Sequence, residues 1–164
     1  MKEYNDYVQA TREYLKHYHE FKATIDNLND EIEAQEKLLS LDPSAPTPKY
    51  GDDTGGGKSE LTATEREAEK RAVIRANINS KRQEVERIER AVRKVDRALD
   101  ALPFQDRQLV EGFYFHRKTW KELSIAYFLT EKWARTTASR AIKRMAGMIF
   151  GFIPEQQSLF VFFE

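Results

Sequence analysis

No glycine or proline interrupts the chain before Pro43, and over that stretch apolar and aromatic side chains return every seven residues. Tyr4, Thr11, Tyr18, Ile25, Ile32 and Leu39 hold one position of the repeat, and Tyr7, Tyr14, Phe21, Leu28 and Gln35 follow three residues later. A sustained period of seven without helix breakers predicts a coiled-coil helix. At 1.5 Å per residue it would run about 60 Å, too long to stand alone with an apolar stripe open to water. A second seam meets that need. Ile74, Lys81, Ile88, Val95 and Leu102 share one position, with Ile78, Val85, Val92 and Leu99 four residues on. Thr62 and Thr64, each followed three residues later by Glu65 or Glu67, supply capping-box starts for this helix.

Between the seams, residues 41–60 hold three prolines and four glycines with no periodicity, the composition of a flexible linker long enough to reverse the chain. Residues 1–101 are therefore expected to form a long antiparallel helical hairpin, with Thr11, Gln35 and Lys81 as polar interruptions that fix register. Gly57-Lys58-Ser59 has the end of a phosphate-binding loop but Asp52 where that loop needs glycine, and no buried strand precedes it.

Residues 102–147 have a different rhythm. Pro103 suits a helix start, and Leu109, Val110, Phe113 and Tyr114 then form one stripe. His116-Arg117-Lys118 ends it. Thr119 and Glu122 make a capping box for a short helix carrying Trp120, Leu123, Ala126 and Tyr127. Thr130 is a good N-cap for a third helix, on which Ala134, Ala138, Ala141 and Met145 share an inner face.

The outer face of that third helix carries Lys132, Arg135, Thr136, Ser139, Arg140 and Lys143. From His116 to Arg144 there are eight Lys/Arg against two acids, a net of +6 in a chain whose 27 basic and 27 acidic residues otherwise cancel. Two helices joined by a tight turn, the second one basic and hydroxyl-rich, match the helix-turn-helix plan for double-stranded DNA. Lys132, Arg135, Thr136 and Ser139 are the candidates for reading bases. Arg117, Lys118, Lys121, Arg140, Lys143 and Arg144 are the candidates for phosphate contacts. The plainer alternative is a solvated basic face on an ordinary bundle.

The order Leu102-Pro103, Arg107, Leu109-Val110, Tyr114, Thr119-Trp120-Lys121-Glu122-Leu123, Thr130, Arg135 and Ser139-Arg140-Ala141-Ile142-Lys143-Arg144-Met145 resembles region four of bacterial sigma factors. Two positions depart from that pattern: Phe128 stands where a small residue, often glycine, is usual in the turn, and Ser124 where alanine is usual. A wider turn is the expectation. The whole order of parts, from long helix through linker and SELTATEREAEKR to Phe113-Tyr114-Phe115 and the helix-turn-helix, resembles the RinA and ArpU families of phage late transcriptional regulators, over roughly residues 1–147. The resemblance implies a phage- or prophage-encoded, sequence-specific activator of late genes that works with host RNA polymerase.

A chain without cysteine has neither disulfides nor thiolate metal sites. His17 and His19 point in different directions on a helix, His116 stands by itself, and the carboxylates are scattered, so neither catalytic nor metal-binding residues emerge and no cofactor is expected. The amino terminus lacks a signal-like apolar core, and a cytoplasmic protein is expected. Residues 148–164 read as an apolar tail broken by Gly151 and Pro154, with Leu159 to Phe163 too short to span a bilayer. Gly147, Gly151 and Pro154 are expected to interrupt helix beyond Met145. One helix-turn-helix reads few base pairs, which calls for a homodimer or higher homo-oligomer. Two other classes stay open: a small terminase-like DNA-packaging protein, and a structural coiled-coil adaptor.

Overall fold

The computed structural model describes residues 2–41 and 63–151, and every element among them is an α-helix. These are α1 (Lys2–Lys16), α2 (Tyr18–Ser40), α3 (Ala63–Asp100), α4 (Phe104–Tyr114), α5 (Trp120–Ala126) and α6 (Glu131–Phe150). The linker beyond Leu41, the Thr62 and Thr64 caps and the Leu159–Phe163 run lie outside the described residues or side chains. The chain divides into two compact units, one of Met1–Thr24 with Ile88–Glu164 and the other Ile25–Arg87.

In the unit Ile25–Arg87 the predicted heptads make their expected contacts. Ile32, Ile78 and Val85 form a buried cluster, flanked by partly buried Ile25, Leu28, Leu39 and Ile74. Partners pair in reverse order along the two helices: the Arg71 guanidinium donates to the carbonyls of Leu39 (3.4 Å) and Leu41 (3.1 Å), whereas Lys81 meets Glu31 at 2.5 Å. Arg82 adds a pair with Glu36. Lys81 therefore interrupts the seam without burying a charge, because its ammonium reaches a carboxylate at the edge. Gln35 is the reverse case, since its buried Oε1 has no hydrogen-bond partner.

In the unit Met1–Thr24 with Ile88–Glu164 the first helix departs from the heptad reading. Val8, Thr11, Leu15 and Tyr18 are buried, while Tyr7 is exposed and Tyr14 only half-buried. The seam position of Thr11 and Tyr18 faces inward as expected, and the second position is shifted by one residue, from Tyr7 and Tyr14 to Val8 and Leu15, on the helix that packs against α6. Tyr7 and Tyr14 lie to the side, with ring centroids 4.8 and 6.2 Å from Phe150. Thr11 is accommodated at zero exposure because its hydroxyl donates to the Tyr7 carbonyl at 2.9 Å. The single helix expected over residues 2–40 is locally distorted at His17, although its N–H still donates to Glu13 and its carbonyl accepts from Phe21.

Tyr18 joins three parts of this unit. Its hydroxyl donates to Asp96 of α3 at 2.6 Å, and its ring stacks on Phe115, just beyond α4, at 4.4 Å. Burial raises the phenol's pKa, and the Asp96 carboxylate adds to the effect. At the turn from α3 to α4, Arg107 meets Asp100 and Glu111, each at 2.7 Å, and the carbonyl of Pro103 accepts the Arg107 N–H. Pro103 thus stands immediately before α4 rather than within it.

Gly147 does not end the last helix. It lies buried inside α6, which continues through Met148, Ile149 and Phe150 and stops at Gly151, whose φ of +82° is the left-handed cap that glycine adopts freely. Of the two glycines expected to interrupt helix, Gly151 does so and Gly147 does not. Packing against α1 compensates the helix-weakening glycine, because Ile142, Ala146 and Ile149 extend the buried face beyond Met145.

Candidate nucleic-acid interface

The basic face is held by a small core with closely approaching backbones. Leu109, Leu123, Ala134 and Ala138 are sealed from solvent, with Phe113, Trp120, Tyr127 and Leu129 packed around them. Phe113 stacks on Trp120 at 4.2 Å. Gly112 brings α4 and α5 together: a Cβ there would lie 2.5 Å from Leu123 Cδ2. The alanines perform the same service on α6, whose inner face carries little side-chain volume.

Both caps read from the sequence are formed. Thr119 Oγ1 accepts from the Glu122 N–H at 3.3 Å, and a Glu122 carboxylate oxygen accepts from the Thr119 N–H at 2.7 Å. The Thr119 N–H and its hydroxyl, which donates to the same carboxylate at 2.8 Å, hold the Glu122 carboxyl below its ordinary pKa. Thr130 Oγ1 accepts from the Trp133 N–H at 3.2 Å and fixes the start of α6.

The turn between α5 and α6 is closed by backbone hydrogen bonds around Phe128. Phe128 itself takes the left-handed conformation, φ +55°, that a glycine would occupy. The Leu129 N–H closes the turn onto the Ser124 carbonyl at 2.8 Å. Ser124 is buried, and its hydroxyl donates to the Lys121 carbonyl at 2.8 Å. For a bulky residue the left-handed region costs about 1–2 kcal/mol, and the Phe128 ring is 97% exposed. Arg117, at φ +52°, has the same backbone conformation in the loop before α5.

Among the candidate base readers, Lys132, Arg135 and Thr136 are exposed and Ser139 is half-buried. Arg135 lies 3.3 Å from Glu131, and the Thr136 hydroxyl donates to the Lys132 carbonyl at 2.8 Å. An exposed pair of this kind is worth at most about 1 kcal/mol, so Arg135 exchanges it readily for another acceptor. Ser139 is the least accessible of the four.

Among the candidate phosphate contacts, Arg117, Lys118, Lys121, Arg140 and Lys143 are exposed. Arg140 makes only a 3.4 Å contact to Thr137 Oγ1. Arg144 is exposed too, but unlike Lys143 it has a carboxylate beside it, its guanidinium lying 3.7 Å from Asp106, which is only 13% exposed on α4. It ties α6 to α4.

Three features of this surface escaped the sequence reading. Gly112 was not singled out, because a mid-helix glycine has no sequence signal until its neighbour is known. Ile125 and Trp133, 66% and 40% exposed, flank the turn with Phe128. Trp133 was in fact legible, since it stands one residue away from the alanine stripe that faces the core. Comparison with family models, with curated proteins and with solved structures finds no match.

Proposed function

We propose that this chain is a sequence-specific double-stranded DNA-binding transcriptional regulator in which α5 and α6 act as a helix-turn-helix and α6 is the reading helix. The supporting observation is the outer face of α6, on which Lys132, Thr136, Arg140 and Lys143 stay exposed above a core that fixes the helix through Ala134 and Ala138. The α2–α3 pairing serves as the arm of an antiparallel hairpin. The short reach of one helix-turn-helix and the resemblance to phage late regulators support a homodimer or higher homo-oligomer that engages paired half-sites and host RNA polymerase in the bacterial cytoplasm. No helix among the described residues is long and apolar enough to cross a membrane.

The test is binding of variants to selected and scrambled duplexes across a salt series. Arg135→Ala should lose about 1–3 kcal/mol of discrimination between them. Lys143→Ala should weaken both and lower the slope of log affinity against log salt by about one. Equal loss for both duplexes with Arg135→Ala would make Arg135 a phosphate contact and remove the main support for α6 as the reading helix. Absence of salt-dependent binding by the wild-type protein would end the DNA reading.

A further inference from the structure

Three large apolar side chains stand in water around the α5–α6 turn: Ile125 at the end of α5, Phe128 in the turn and Trp133 in the first turn of α6. Isolated exposed apolar residues are ordinary, but three within nine residues around one connection single it out as a candidate contact surface. Phe128 adds a second observation, because it holds a backbone conformation suited to glycine while presenting its whole ring to solvent. Strain of this kind persists where a side chain is needed for use.

The surroundings favour an anionic occupant. Lys121 lies one turn before Ile125 on the exposed face of α5, and Lys132 is exposed in the same first turn of α6 as Trp133. The two acids of the region are engaged, Glu122 with Thr119 and Glu131 with Arg135. An apolar patch framed by ammonium groups matches a groove wall whose edges are phosphates and whose floor carries methyl groups. In the DNA major groove that methyl is the C5 substituent of thymine, and apolar side chains recognise it.

We infer that Phe128 and Trp133 form a thymine-methyl contact that contributes specificity beside the polar contacts of α6, an inference that rests on the DNA-binding reading above. The polar groups of α6 read donors and acceptors, and the turn reads the presence of a methyl group. Binding sites should therefore carry thymine at one or two fixed positions.

The experiment uses the full chain and duplexes it enriches from a random-sequence pool, each thymine then being replaced singly by deoxyuridine, which lacks only the methyl. Wild-type protein should lose affinity by about fourfold at the contacted positions, the factor that burial of one methyl-sized group confers. Phe128→Gly and Trp133→Gln should bind the thymine duplex more weakly and no longer distinguish it from the deoxyuridine duplex. Phe128→Gly relieves the left-handed backbone, so its thermal melt should be unchanged or raised, which separates lost binding from lost folding. Indifference of the wild-type protein to deoxyuridine at every position, or undiminished discrimination by both variants, would overturn the inference and leave the DNA reading standing. Failure to enrich any duplex would overturn both.

Discussion

Where α4, α5 and α6 meet, Leu109, Leu123, Ala134 and Ala138 have essentially no exposure, and one added carbon at Gly112 would collide with Leu123. Among the described residues of the unit Ile25–Arg87 three side chains are buried, four more apolar residues around them stay partly wet, and ion pairs run along the edge. The first region is specified by volume: small residues at fixed places let helices approach, and any error is a collision. The second is specified by period and charge, so a seam residue has room to adjust and a lysine survives in it by reaching for Glu31. Tolerance to substitution should differ accordingly, and both tryptophans of the chain, Trp120 and Trp133, lie in the first region. Fluorescence therefore reports that region, while circular dichroism weights all helices.

The largest effect is expected from Ala138→Glu, which places a carboxylate on the sealed face of α6. It should cost more than about 4 kcal/mol and abolish the cooperative fluorescence transition while much of the helical signal remains. Retention of that transition would mean the inner face of α6 is softer than its zero exposure implies. Gly112→Ala comes next, at about 1–3 kcal/mol, because Leu123 must leave its place to admit the Cβ. A smaller loss, about 1 kcal/mol, is expected for Thr119→Ala, which removes the acceptor for the Glu122 N–H and half of the capping box.

Gln35→Leu should have the opposite sign, stabilising by about 1 kcal/mol in denaturant melts followed by circular dichroism, since it removes a buried acceptor without a partner. Destabilisation there would mean that the second region, too, depends on detailed fit. The smallest effect is a pH dependence. The Glu122 carboxyl is held below its ordinary pKa, so its contribution to α5 is present above the ordinary glutamate range and is lost as pH falls through the lowered value. Glu122→Gln should flatten the acid side of the stability profile by that amount.

The pattern of what could be read in advance follows from the same contrast. The caps at Thr119 and Thr130 and the alanine face of α6 depend on neighbours three or four residues away, and all are present as written in the chain. The seam between Ile32 and Ile78 was legible because two periods of seven matched. The side of α1 that turns inward was not, because α6 lies more than a hundred residues ahead and selects Val8 and Leu15 over Tyr7 and Tyr14 by shape. For the same reason Gly147 looked like a stop signal, and only its burial explains why the helix continues. At the surface, the sequence distinguished charges by position but not by partner, so Arg144 and Lys143 looked alike until Asp106 was found beside one of them.

The contact between α1 and α6 also bears on when the basic surface comes into existence. Translation at about 5–20 residues per second separates the synthesis of these two helices by roughly ten seconds. During that interval Val8, Leu15 and Tyr18 have been made but the face of α6 that meets α1 has not. A chain still short of α6 therefore lacks the basic outer face altogether, and that surface forms only once the last described helix has emerged and packed.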